Sequence, residues 1–326
     1  MSQRGNFRER VGFIVGPTGS GKSALAIEIA ARLGAEIVNG DSRLFYRGLD
    51  IGTAKPDAAA RARVPHHLID ICAPDAAIDA ARFAALARLA IDDIARRGKH
   101  ALVVGGSGLY LRALQHGLCA GPAASPELRR SLREQAAAGG AAELHRELSR
   151  VDAAAAARIG CRDLPRIVRA LEVFRLSGEP LSDRQRRHGF SEHHYDALMI
   201  GLALERPVLY RKLDERFEAM IAAGLVGEVR TLLDGGYRPD RPPLSTIGYR
   251  EIAAHLRGEL TLAEAATAAR RATRHLAKRQ LTWFRSEPEI VWLDAARADQ
   301  QAFAMCAEFF AGRGPTPHAS QHDATT

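Results

Sequence analysis

The run Gly16-Pro17-Thr18-Gly19-Ser20-Gly21-Lys22-Ser23 matches the Walker A pattern in full. Glycines let the backbone wrap an anion and turn its N–H groups inward, and the helix that follows adds the positive end of its dipole. Lys22 would neutralise phosphate charge, and Ser23 would ligate Mg²⁺. A chance glycine-rich turn is the ordinary alternative, and the full pattern in a strand-to-helix setting weighs against it. The pattern leaves open which phosphate compound is held. A P-loop ATPase has an acid at the end of a later apolar strand for its metal. Here residues 101–104 lead into Gly105-Gly106-Ser107, and the Walker-B-like candidate, Asp70 in Leu68-Ile69-Asp70-Ile71, is not at a clear strand end. The hydrolytic set is incomplete, and a loop holding a diphosphate leaving group would need less. Asp41 ends the second apolar stretch, where a carboxylate could take a proton as general base. A turn or N-cap aspartate ahead of Ser42 is the plain alternative. Ser107 could donate a hydrogen bond to a phosphate or leaving group, or equally cap a helix.

These groups need a frame. Residues 11–15 form a short apolar run ending at the glycine turn, and residues 24–33 follow with helical spacing. Further strands are expected at 35–38, 67–71 and 101–104, with a helix over 80–97. Strands alternating with helices imply an α/β fold: a P-loop NTPase-like parallel sheet flanked by helices. Ligands of such sheets sit outside the carboxyl ends of the strands, where three ends here carry Gly, Asp, Ser or Lys. Strand character fades near Gly117 and resumes at 197–204, so 121–196 reads as a helical insertion subdomain between a first core part, 1–120, and a return to the core, 197–311. That last part is helical over most of 207–285, with a strand at 290–293, and 312–326 reads as a disordered tail.

The chain has 326 residues, enough to bury a sizeable core, and 46% hydrophobic residues, the mixture of a soluble globular protein. No apolar run approaches bilayer length, and residues 1–10 lack the apolar core of a signal peptide, so a cytoplasmic protein with no membrane partner is expected. Cys72, Cys119, Cys161 and Cys306 are scattered without metal-ligand spacing and read as reduced thiols. His66-His67 and His193-His194 cannot easily share one metal and read as structural or surface residues. The net charge of +8 favours a polyanionic partner if the charge is localised. Residues 151–190 hold eight Arg against five acids. Arg270, Arg271, Arg274, Lys278 and Arg285 fall within about 100° of one another on an ideal helix. A solvated helix face is the ordinary explanation, but no acid interrupts 270–285, which tilts the reading towards a phosphate backbone. Arg166 and Arg169, behind Pro165, offer a second cationic edge.

At this point the residues resemble a known family. The P-loop, Asp41-Ser42 and the stretch Tyr46-Arg47-Gly48-Leu49-Asp50-Ile51-Gly52-Thr53-Ala54-Lys55-Pro56 are similar to the tRNA dimethylallyltransferases, also called the IPP transferase family. The likeness continues through Pro65 to Asp70, Val104-Gly105-Gly106-Ser107-Gly108-Leu109-Tyr110, Arg169-Ala170-Leu171-Glu172-Val173, Gly248-Tyr249-Arg250-Glu251 and Ala277-Lys278-Arg279-Gln280-Leu281-Thr282-Trp283-Phe284-Arg285. It runs in order over residues 11–293. The resemblance implies transfer of a dimethylallyl group from its diphosphate to N6 of adenosine 37, beside the tRNA anticodon. The P-loop, residues Gly16, Pro17, Thr18, Gly19, Ser20, Gly21, Lys22 and Ser23, would then hold the diphosphate with Mg²⁺ on Ser23. Asp41 would be the base that takes the N6 proton. Ser107, where the family commonly has Thr, would contact the bridging or leaving oxygen, and Arg216 with Lys22 would stabilise the departing diphosphate. The anticodon stem-loop would be met by Asp41, Ser42, Arg43, Leu44, Ser125, Pro165, Arg166, Ile167, Val168 and Arg169. Ser245, Thr246, Ile247, Gly248, Tyr249, Arg250, Arg274, Lys278 and Arg279 would continue that surface. Arg43-Leu44-Phe45, Pro165 and Ser245-Thr246 depart from the family's common residues, on stretches where RNA contacts would fall.

Three other readings compete. An adenylate isopentenyltransferase would run the same chemistry on free AMP or ADP without needing the basic helices. A P-loop small-molecule kinase would use Asp41 to activate a hydroxyl. An RNA-binding P-loop protein without activity would have no use for intact Lys22, Ser23 and Asp41. Nothing in the sequence demands an obligate interface, so a monomer is expected.

Overall fold

The computed structural model describes residues 8–241 and 244–313. Most of the tail expected to be disordered, from residue 314 on, lies outside the described residues, as do residues 1–7 of the segment checked for a signal peptide. In chain order the elements are β1 (Arg10–Val15), α1 (Lys22–Leu33), β2 (Glu36–Asn39), α2 (Ala58–Arg63), β3 (His66–His67), α3 (Ala80–Arg96), β4 (Ala101–Gly105) and α4 (Gly108–His116). The helices α5 (Pro126–Gly139), α6 (Ala141–Val151), α7 (Ala153–Arg158), α8 (Leu164–Ser177) and α9 (Leu181–His188) follow. The chain then continues as β5 (Asp196–Ala203), α10 (Arg206–Ala222), α11 (Leu225–Asp234), α12 (Tyr249–Leu256), α13 (Leu262–Arg285), β6 (Ile290–Asp294) and α14 (Ala298–Phe310). Two compact units result. The first joins residues 1–115 with 193–326, and the second is residues 116–192, against the expected insertion at 121–196.

In the first unit, six strands among the described residues form one sheet in the order β3-β2-β4-β1-β5-β6, with every described pairing parallel. The strands read as unbroken apolar runs because both faces are covered. Val11, Phe13 and Val15 of β1, with Ala101, Val103, Ala197 and Met199, point into one layer that also holds Phe83, Ile91, Leu111, Phe217 and Phe284. Ile14, Leu102, Val104, Leu198 and Ile200 point into the other, against Leu25 and Ile29 of α1 and Phe309 and Phe310 of α14. The alternation is the period-two geometry of a strand. β4 lies between β1 and β2, so the chain leaves β1 past a neighbour it has not yet made. That crevice is where a parallel sheet receives ligands.

The strand expected at 67–71 is a correction. β3 stops at His67, and Leu68 (φ 63°) and Asp70 (φ 57°) adopt the left-handed region, which takes the chain out of the sheet. Asp70 turns to accept from Lys55 Nζ (2.5 Å) and Arg61 Nη1 (2.7 Å). Burial alone would raise its pKa, but those two cations hold it below the usual carboxylate range. None of the described helices is long and apolar enough to cross a membrane.

The second unit is a helical cluster around Leu132, Leu144, Leu148, Ile167 and Leu171. Ser125, Asp152 and Asp163 cap its helices by accepting backbone N–H groups. Glu172, fully buried, binds Arg129 at 2.8 Å, Arg169 at 2.6 Å and the Ser125 amide at 2.8 Å.

Candidate active site

The glycine loop leaves β1 and enters α1 through Gly21, whose φ of 92° suits a residue without a Cβ. Lys22 is the first residue of α1, and its Nζ donates to Pro17 O at 2.6 Å. Burial lowers the Lys22 ammonium from 10.5 to about 8; nearby Asp41 opposes this shift and Arg216 adds to it. Those effects put an anion and two cations within electrostatic reach of one another. Arg216 rises from α10 and donates to Thr18 Oγ1 at 2.8 Å. Its own pKa is pushed down by burial, with Asp41 opposing.

Two neighbouring strand ends complete the group. Beyond β2, Gly40 donates to Val104 O at 2.8 Å and packs so closely on Gly105 that a Cβ at 105 would strike the Gly40 backbone. The Asp41 carboxylate accepts from Arg43 N at 2.9 Å. Beyond β4, Ser107 Oγ accepts from Ser42 N at 3.0 Å, which leaves its proton available to an incoming oxygen.

A cavity of about 400 Å³ opens over these ends. Thr18, Asp41, Ser42, Arg43, Ser107 and Arg216 line it, together with Ser245, Thr246, Ile247, Gly248 and Arg279. Three arginines and one carboxylate are the charged groups on its wall, a balance suited to a phosphate ligand. Ser23 is exposed at the start of α1 and presents a hard oxygen donor. One hydroxyl with phosphate oxygens is a donor set that fits Mg²⁺, which takes few protein ligands and keeps several waters. Asp70 is committed to Lys55 and Arg61, so the Walker-B-like candidate offers no free carboxylate.

Several residues expected to meet RNA are engaged within the protein itself. Ile167, Val168 and Tyr249 have buried side chains: the first two sit in the helical core, and Tyr249 donates to Glu228 Oε1 at 2.5 Å. Arg169 is paired with Glu172, and Arg166 with Asp163 at 3.3 Å. Arg250 pairs with Glu251, while Arg274 donates to Asp214 at 3.1 Å and Arg270 to Glu218 at 2.5 Å. The cationic stripe of α13 is thus partly neutralised by α10. Lys278 and Arg279 stay exposed, and Leu44 lines a small recess with Ser23 and Asn39. Ser125 serves as the N-cap of α5, with Pro165 and Arg166 in the first turn of α8.

Three residues escaped the sequence reading. Gln280 of α13 accepts from Thr18 N and donates to Gly106 O, tying two strand-end loops together. Glu228 of α11 accepts from the N–H groups of Asp50, Ile51 and Gly52, which fixes the loop whose Gly52 and Thr53 line the cavity. Asn39 bonds the Asp41 turn. Gln280 lies inside a stretch already singled out and Asn39 directly follows the strand expected at 35–38, but Glu228 left no signal beyond an acid at a helical position.

The family model described as IPP transferase matches residues 44–287. The tRNA dimethylallyltransferase of Geobacter metallireducens is 52% identical over 287 residues, covering 88% of this chain and 93% of the relative. Tested against solved structures, the fold resembles the tRNA isopentenylpyrophosphate transferase of Bacillus halodurans, with 37% identity, a TM-score of 0.70, and coverage of 94% of this chain and 98% of that one. A eukaryotic dimethylallyltransferase solved acting on tRNA gives a TM-score of 0.80 at 26% identity, over 94% of this chain and 80% of that one.

Proposed function

The chain belongs to the IPP transferase family, and from that premise we propose that it transfers the dimethylallyl group of dimethylallyl diphosphate to N6 of adenosine 37 in the tRNA anticodon stem-loop. The observation that carries the chemistry is the meeting of Thr18, Asp41, Ser107 and Arg216 on one cavity wall, with Lys22 within electrostatic reach. The C1–oxygen bond of the donor breaks, the C1–N6 bond forms, and the N6 proton passes to Asp41. N6 of adenine is a weak nucleophile, so charge on the leaving diphosphate governs the barrier. Lys22, the loop amides and Arg216 would stabilise that charge, and groups fixed in place before the reaction lower barriers most. Ser107, its lone pair held by Ser42 N, donates to the bridging oxygen. Mg²⁺, held through Ser23 and the phosphates, would supply further neutralisation of the leaving group. Drawing the base from its stack costs roughly a few kcal/mol, which cationic contacts to the RNA backbone would offset. The protein would act as a monomer in the cytoplasm.

Relatives that match over most of the chain carry the tRNA enzyme's name, which favours this reading over the adenylate transferase, the kinase and the inactive binder. Incubation with dimethylallyl diphosphate, Mg²⁺ and either unmodified tRNA or AMP, followed by nucleoside mass analysis, should add one dimethylallyl mass to the tRNA. Modification of AMP alone would overturn the reading. Asp41→Ala should slow transfer by about 10²–10⁴-fold while tRNA binding persists.

A further inference from the structure

A base is useful only where its carboxylate points, and the Asp41 carboxylate sits on a three-residue turn beyond β2. The turn is held from the β4 side by the Gly40 N–H bond to Val104 O. From the other side it is held by Asn39, the last residue of β2, which is 2% exposed. Asn39 Oδ1 accepts from Asp41 N at 2.8 Å, and Nδ2 donates to Asp41 O at 3.0 Å. The remaining amide proton goes to Leu68 O at 3.0 Å. Asn39 therefore binds Asp41 on both of its backbone polar groups and anchors it to the loop where the chain leaves β3. It does not line the cavity. Beyond that turn, the carboxylate is aimed by the Arg43 amide.

We propose that Asn39 is the positioning residue of the general base, holding the Asp41 turn so that the carboxylate faces the acceptor. This rests on the reading of Asp41 as the base in the proposed transfer. The geometry demands an amide. One end must accept an N–H while the other donates to two carbonyls, and no acid or aliphatic side chain of that size does both. A base displaced by about 1 Å loses on the order of 10²-fold in rate, because proton transfer needs hydrogen-bond contact.

Asn39→Asp keeps the size and the acceptor but sets an oxygen against the Asp41 and Leu68 carbonyls; Asn39→Ala removes all three bonds. Both variants and the wild type would be compared in three measurements: kcat for tRNA prenylation at saturating substrates, the Kd of dimethylallyl diphosphate by calorimetry, and thermal melting. Asn39→Asp should lose about 10²-fold in kcat with donor Kd within about twofold, since the P-loop, Arg216 and Lys22 are untouched. In an Asp41→Asn background the Asn39 change should add nothing to the remaining loss, as expected of residues acting as one unit. If Asn39→Asp does not fold, Asn39→Ala carries the test with the same split. An unchanged kcat in a folded variant, a donor affinity falling in step with kcat, or full additivity with Asp41→Asn would overturn the proposal. A wild-type protein that prenylates no tRNA would instead sink the functional reading and leave the role of the turn aside.

Discussion

Alkaline pH should release the donor well before an ordinary lysine would lose its charge. Burial brings Lys22 from 10.5 to about 8 in the free protein, net of the opposing pull of Asp41. A bound diphosphate favours the ammonium form, so the sign follows directly. Below pH 8 the lysine is charged and affinity is full; above it, each binding event must first recover a proton. Affinity then falls about tenfold per pH unit, or about thirtyfold between pH 7 and 9.5. A lysine near 10.5 would lose about 10% over the same range. The terminal phosphate completes its ionisation near pH 6, about as a phosphate monoester does, so it does not titrate in this window. Calorimetric titration of dimethylallyl diphosphate without tRNA, in buffers of different ionisation heat, reports both affinity and protons taken up. Lys22→Met should bind more weakly with a flat profile over that range. A wild-type affinity that stays level to pH 9.5, or an equal slope in Lys22→Met, would refute the assignment of Lys22 as the titrating phosphate ligand.

Three further outcomes follow from the packing. Glu228→Ala leaves three consecutive amides and the Tyr249 hydroxyl without their acceptor, and unfolding free energy should drop by about 3 kcal/mol, read as a lower urea midpoint at unchanged slope. Glu36 is held at about 2, down from 4.5, by the Arg97 guanidinium against the cost of burial and with help from His67. Its folded pKa is depressed, so its stabilisation is full above pH 4.5 and is lost as pH falls towards 2. Glu36→Gln should therefore flatten the acid limb of a melting-temperature profile between those values. Lys278→Ala should weaken tRNA binding and reduce its salt slope by about 1, whereas Arg274→Ala should change the slope less because Asp214 already neutralises Arg274; equal slopes for the two variants would contradict the pairing.

What was legible from sequence divides by the range of the interactions involved. β1, β4 and β5 are apolar runs covered on both faces, and such runs announce themselves without knowledge of their neighbours. β3 is short because Asp70 answers to Lys55 and Arg61, partners that no apolar count over 67–71 contains. α14 drew no assignment beside the Gly- and Pro-rich tail, although its Cys306, Phe309 and Phe310 close one face of the sheet. The same division runs through the site. Thr18, Asp41 and Ser107 could be placed because parallel sheets bring consecutive strand ends together. Arg216 came from resemblance alone, since its partner Thr18 is 198 positions away. Gln280, bonded to Thr18 across 262 positions, and Glu228, bonded to Asp50 across 178, belong to that same long-range class. The stripe on α13 shows what local charge counting misses. Arg270 and Arg274 have no acid near them in sequence, yet Glu218 and Asp214 meet them from α10. Local charge counting therefore overstates a helix's cationic field wherever a second helix packs beside it. Once those two pairs are removed, the stripe cations with no described acid partner are Arg271, Lys278 and Arg285, two of the three in the later half of α13, where Arg279 stands on the cavity wall. A polyanion drawn to that end would be drawn to the mouth of the site, so the pairing that weakens the stripe also focuses it.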